Sequence, residues 1–272
     1  MVSEFVVTRS VRDSAHMLAA LAAPDRGARY TLPEPADYRA AIARPGPRLR
    51  IALATGSGDF PATHPDCVAA TERAARLCES LGHHVEPAGA DVDIVEGIRL
   101  WMHFSAVFGA RMVGMLEAAF GQGATPDRFE RSVWGLVEMG RAMGVQAFLD
   151  GFDRMNAVTR ALAALFERYD VWLTPTMLQP PPPLGVLNAD DPDLGTEDTI
   201  LRWGGWAGYL PLYNAAGMPG ITLPLETDAR GVPIGVHFGA SIGREDTLFA
   251  LAAELEQARP WAARRPGIRA GR

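Results

Sequence analysis

Lysine is absent from the chain: all 26 basic side chains among its 272 residues are arginine. A guanidinium stays protonated at any working pH, so chemistry that needs a titrating lysine ammonium as proton carrier cannot be housed in these side chains. Cysteine is scarce as well. Cys67 and Cys78 lie eleven positions apart in what reads as one helix, which separates their Cα atoms by about 16 Å at ~1.5 Å per residue and excludes a disulfide between them. Without CxxC spacing they read as two small buried hydrophobes, not a redox or zinc pair. There is no basic block either, and a net charge of -6 with a pI near 5.5 argues against nucleic acid as a partner. No apolar run reaches the roughly 18 residues of a membrane span, and the first residues lack the charged-then-apolar layout of a secretory signal. A soluble cytoplasmic protein is the expectation.

What is present is ample core material, with 48% hydrophobic residues. Ser10 followed by Asp13 is a capping-box-like helix start; Val11, Ala15, Leu18 and Ala22 then share one face, and Pro24 ends the helix. Residues 30–48 predict an irregular connection with a short helix. RLRIALA (48–54), a helix over 63–81 stopped by Gly82, and HHVEPA (83–88) form a strand, helix, strand unit, which indicates a parallel α/β layer. Residues 92–168 read as helical, their Met and aromatic positions explained by core packing. DVWLTPT (170–176) is a short apolar strand that enters four consecutive prolines, and NADDPDLGTED (188–198) reads as a solvent-facing loop. After a stretch mixing aromatics and glycines come a strand ITLPLE, a turn at DARG, a strand PIGVHFGA and a closing amphipathic helix. No fixed-period repeat and no linker divides the chain.

Several short motifs invite a chemical reading. GASIG (239–243) matches the G-x-S-x-G nucleophile elbow, which would make Ser241 a nucleophile, but His237 is the last histidine and precedes the serine. A strand-to-helix turn with glycines at its bends is preferred. TGSG places Gly56 and Gly58 as the first two glycines of a dinucleotide fingerprint, yet Pro61 takes the third place, so a plain loop is preferred and no cofactor is expected. His83 and His84 alternate across a strand, His103 sits beside Trp101 and Phe104, and no HxxxH spacing exists, so no metal is expected.

The order of residues from 170 to 243 is unusual, and it resembles the C-terminal half of an amidase-signature hydrolase. That family's strand D-[VL]-[LW]-L-x-P-T corresponds to 170–176; its N-x-x-G-x-P element to Asn214, Gly217, Pro219 and Pro224; its G-x-P-x-G-x-Q strand to Gly231, Pro233 and Gly235, with His237 where glutamine is commoner. TRSVRD (8–13) resembles the family's T-R-S-V-x-D helix start. The likeness spans most of the chain and is thinnest over 92–168, with a flavour of the aminohexanoate cyclic-dimer hydrolases.

The resemblance implies a three-layer α/β/α fold with a mixed sheet, lacking the strands of the N-terminal half, so that residues 1–272 form the C-terminal portion of one amidase domain. It implies hydrolysis of a small amide through an acyl-enzyme, with lysine drawing a proton from a nucleophilic serine through a second serine while backbone N–H groups stabilise the oxyanion. Those three residues belong to the family's N-terminal half, so the chain is expected to begin in mid-protein and, alone, to be inactive. Its expected contribution is pocket wall: Trp172, Thr174, Thr176, Trp203, Trp206, Tyr213 and Asn214. Exposed sheet edges and apolar helix faces are expected, and with them a homo-oligomer or a complementing N-terminal half. The rival readings are a non-catalytic binding or regulatory module built on the same scaffold, and an esterase using Ser241.

Overall fold

The structure is a computed structural model describing residues 5–23, 27, 37–56, 62–265 and 267. Pro24, Gly58 and Pro61, on which two of the readings above depend, lie outside the described residues. One five-stranded mixed sheet organises the molecule, in the order β2-β1-β3-β5-β4. The strands are β1 (Arg50–Leu53), β2 (His84–Pro87), β3 (Val171–Pro175), β4 (Gly220–Thr227) and β5 (Pro233–Gly239). β1 pairs in parallel with β2 and β3, while β5 runs antiparallel to both β3 and β4.

Alternation along each strand feeds two separate cores. Ile51, Val171, Leu173, Val236 and Phe238 face one side and pack under α1 (Val11–Leu21), α2 (Tyr38–Ala41), α3 (Pro65–Ser80) and α9 (Glu245–Ala258). Ala52 and Trp172 face the other, under α4 (Ile94–Phe120), α5 (Arg131–Ala142), α6 (Val145–Phe166), α7 (Thr196–Ala207) and α8 (Leu210–Ala216). Three layers result because the central strands β1, β3 and β5 are covered on both faces, whereas β2 at the edge contributes only the half-buried Val85.

Local chemistry matches the sequence reading at several element ends. The Ser10 hydroxyl accepts from the Asp13 N–H at 3.2 Å, closing the start of α1. Gly82 takes a left-handed φ of 91° just past α3. Asp228 accepts from the N–H groups of Arg230 and Val232, which fixes the β4–β5 turn. Cys67 and Cys78 are both unpaired and buried on α3. Burial pushes their thiols up to about 11 and about 12, so they are inert at neutral pH. No helix among the described residues is long and apolar enough to cross a membrane.

The stretch of aromatics and glycines is more ordered than its composition suggests. It forms α7 and α8, separated at Gly208, where φ is 56°. The acidic loop is largely exposed as expected, but its last three residues already belong to α7, and Asp190 accepts from the Arg131 N–H at 2.8 Å, capping α5 from a distance.

Candidate functional site

The wall of the site starts at β3. Asp170 sets its position: its carboxylate accepts from the Arg50 N–H at 2.8 Å while its own N–H donates to the Arg50 carbonyl, locking β3 against β1. Trp172 and Thr174 then point to the α4–α8 side and are completely enclosed, Trp172 wedged against the rings of Tyr209 and Tyr213. Thr176 lies at the strand's end, 3.3 Å from the Thr222 hydroxyl. Beyond it the proline loop is clamped through main chain. Leu178 donates to the Trp206 carbonyl and accepts from the His64 N–H.

The helices α7 and α8 bring four aromatic or polar candidates over this strand. Trp203 and Asn214 line an apolar cavity of about 290 Å³ together with Ile98, Trp101, Ile200 and Leu210. Asn214 and Tyr213 also border a larger groove, about 860 Å³, that runs along β4. Asn214 therefore sits on the ridge between the two spaces. Trp206 is turned away from both, since its indole N–H donates to the Pro180 carbonyl and holds the proline loop. The structure thus gathers Trp203, Tyr213 and Asn214 around open space. It places Trp172 and Thr174 beneath them and Trp206 behind.

A buried polar cluster underlies these residues. Trp172 Nε1, Thr174 Oγ1, Tyr213 OH and His237 Nδ1 are all shielded from solvent and have no hydrogen-bond partner among the described residues. His237 pairs in register with Thr174, and its ring centroid lies 4.7 Å from that of Tyr213. Glycine makes this packing possible: a Cβ on Gly239 would fall 2.2 Å from the Tyr213 hydroxyl, and one on Gly220 2.3 Å from His237 Nε2. Gly235, the second glycine of the G-x-P-x-G element, would bring a Cβ within 2.9 Å of Thr176 Oγ1. Burial drives His237 down to about 4 and Tyr213 well above its ordinary value, so both are neutral hydrogen-bonding groups at pH 7.

By motif alone His237 is a departure from glutamine. Its signal was the alternation Val236, His237, Phe238, which sends the histidine to the face opposite the two apolar neighbours. Ser241 lies in the turn between β5 and α9, its carbonyl accepting from the Arg244 N–H at 3.1 Å, and no hydrogen bond joins it to His237. The turn was expected, but its glycines have different duties: Gly243 has a φ of 75°, whereas Gly239 lies within β5 beneath Tyr213. His83 accepts from the Leu49 N–H at 3.1 Å and lies 3.2 Å from Glu254, tying β1 to α9 in the other core. His103 packs on Gly151 and Phe104. No group of three or more His, Cys, Asp or Glu side chains that could hold a metal occurs among the described residues.

Comparison with known proteins follows the same geometry. A Mycobacterium tuberculosis protein named as an amidase, AmiC, is 33% identical over 267 residues, which covers 96% of this chain and 53% of the relative. The 6-aminohexanoate-cyclic-dimer hydrolase of Pseudomonas sp. strain NK87 is 31% identical over 273 residues, 97% of this chain and 55% of that enzyme. The solved structure of a 6-aminohexanoate cyclic dimer hydrolase superposes with a TM-score of 0.81 at 28% identity, covering 95% of this chain and 55% of that one. The chain spans about half the length of the curated relatives it matches. Residues 3–249 match the family described as Amidase, and with the mixed sheet and the motif residues in these positions, the chain belongs to the amidase family.

Proposed function

We propose that this chain is the C-terminal portion of a single amidase domain, supplying the substrate-facing wall of a cytoplasmic enzyme that hydrolyses a small carboxamide through a serine acyl-enzyme. Alone, it is catalytically incompetent. The observation that carries the reading is the juxtaposition of Trp203, Tyr213 and Asn214 around open space in a family member without a single lysine. Trp203 and Trp101 offer apolar surface to a substrate's carbon chain, and the Asn214 side-chain amide supplies a donor and an acceptor to an amide group. The proton relay that the family resemblance implies needs a lysine, and arginine does not titrate in its place. Relatives that act on 6-aminohexanoate cyclic dimer support a secondary, aliphatic amide as the substrate class.

The test is an assay of the purified chain against a panel of aliphatic amides that includes 6-aminohexanoate cyclic dimer, alone and co-expressed with the remainder of an amidase domain. No turnover above background is expected alone, and turnover is expected on complementation. Trp203→Ala or Asn214→Ala in the complemented form should lower kcat/KM by about tenfold or more, the size of one lost contact to substrate. Turnover by the isolated chain would overturn the proposal. Amide binding that persists without turnover on complementation would instead identify a binding module.

A further inference from the structure

We propose that the apolar cavity between α4, α7 and α8 is a charge-excluding subsite, which admits the uncharged carbon chain of an amide and rejects a chain that ends in an ammonium or a carboxylate. The inference rests on the reading above and narrows the substrate class of that same site to amides that are neutral on the side the cavity holds.

The walls account for the preference. Ile98 and Trp101 come from α4, Ile200 and Trp203 from α7, and Leu210 and Asn214 from α8. None of the lining side chains is charged. The charged residues that neighbour them in sequence are engaged elsewhere or face solvent. Both Glu96 oxygens accept from Arg154, at 2.6 and 3.0 Å, and Arg202 lies 3.3 Å from Asp191 in the acidic loop. Arg99 is exposed, between the buried Ile98 and Leu100. A ligand's charge therefore meets no counter-ion in the lining, and an ion taken from water without a partner loses more hydration than an apolar wall returns. Attraction of an ammonium to two indole faces is the smaller effect and offsets only part of that loss. At about 290 Å³ the space is at the small end of ligand pockets, which fits one short chain.

The polar atoms that do face the cavity are those a neutral amide can use. The Trp206 indole N–H donates to the Pro180 carbonyl and that of Trp261 to the Arg9 carbonyl, so both serve the fold. Trp101 and Trp203 make no such bond among the described residues, and neither does the Asn214 side chain. All three are half-buried. Together they present N–H donors and one carbonyl acceptor, a set that matches an amide's own acceptor and donor and calls for no charge.

The experiment labels the six tryptophans of the isolated chain with 5-fluorotryptophan and follows fluorine NMR, with Trp101→Phe and Trp203→Phe assigning the two lines that matter. Four probes share a six-carbon chain: hexanamide, 6-hydroxyhexanamide, 6-aminohexanamide and adipamate. Hexanamide is expected to shift the Trp101 and Trp203 lines, and the two ions to bind about tenfold or more weaker, with the hydroxyl probe closer to hexanamide than to either ion. Leu210→Glu puts a carboxylate in the lining at the first residue of α8, where a negative charge suits the helix end. It should raise the affinity for 6-aminohexanamide relative to hexanamide by about tenfold. If that variant misfolds, the four probes on the unsubstituted chain decide alone. Ions that bind as well as hexanamide, a hydroxyl penalty as large as that of the ions, no gain in a folded Leu210→Glu, or no shift of either line by any probe would each overturn the subsite. The expected order of binding with no turnover on complementation would leave the subsite standing and overturn the catalytic reading. Turnover on complementation with equal kcat/KM for neutral and charged probes would overturn the subsite alone.

Discussion

Tyr213 lies where a side chain on Gly239 would go, and His237 lies where one on Gly220 would go. These contacts give the site a floor of neutral polar groups, and the histidine is the one whose state is measurable. It faces Tyr213 from α8 and lies opposite Thr174 of β3 and Thr222 of β4, with no charged group lowering or raising it beyond burial itself. Its pKa falls from 6.5 to about 4 in the fold. The unfolded chain therefore takes up a proton near pH 6.5 that the folded chain refuses until about pH 4, and stability is lost as pH drops through that window. The loss from this group is about 2 kcal/mol at pH 5. Urea midpoints at pH 7 and pH 5 should thus fall further in the unsubstituted chain than in His237→Gln. Equal falls would mean that the imidazole is not held neutral. Of the residues here, Asn214 and Tyr213 were legible through the motif around them. His237 was not, because its importance comes from what lies across the sheet.

At the scale of elements, β4 is anchored at its far end by charge. Its far end carries Glu226, 5% exposed, which lies next to the irregularity in pairing between Leu223 and Glu226. Arg73 of α3 donates to this carboxylate at 2.7 Å, and Arg259 at the end of α9 donates to its other oxygen. One side chain thus joins a strand to two helices. Glu226→Gln should cost about 2 kcal/mol in urea denaturation, below the full cost of breaking a buried pair because both arginines reach solvent. A loss under about 0.5 kcal/mol would place the cluster with ordinary surface pairs. The strands and the long helices were legible because their apolar periodicities are 2 and 3.6. α7 and α8 were not, since glycine, proline and aromatics carry weak helix propensity and these helices form by docking Ile200 and Leu212 into the core over the sheet.

At the scale of the whole molecule, the α4–α6 layer leaves apolar surface uncovered. Phe108, Met112 and Phe120 on α4 are 63%, 57% and 74% exposed, and Val145 and Leu149 on α6 are 77% and 50% exposed. An isolated chain with this surface should bind a hydrophobic dye and self-associate at micromolar concentration. Light scattering should give a mass above 29.3 kDa, and Met112→Glu with Leu149→Glu should lower it. A monodisperse monomer with no dye binding would contradict this.

Composition and order alone settled which chemistry these residues lack, since the absence of lysine is a property of the list of side chains and no folding changes it. They also settled the strands and the long helices, because burial on one or two faces writes itself into period. Only the tertiary structure decided which candidates share a space. Trp203 and Trp206 stand three positions apart on α7, yet one lines a cavity and the other holds the proline loop. Tyr213, Thr174 and His237 lie far apart in sequence and meet because two strands pair and one helix docks over two glycines. Adjacency across a sheet depends on which strands become neighbours, and that is fixed by the packing of the whole chain.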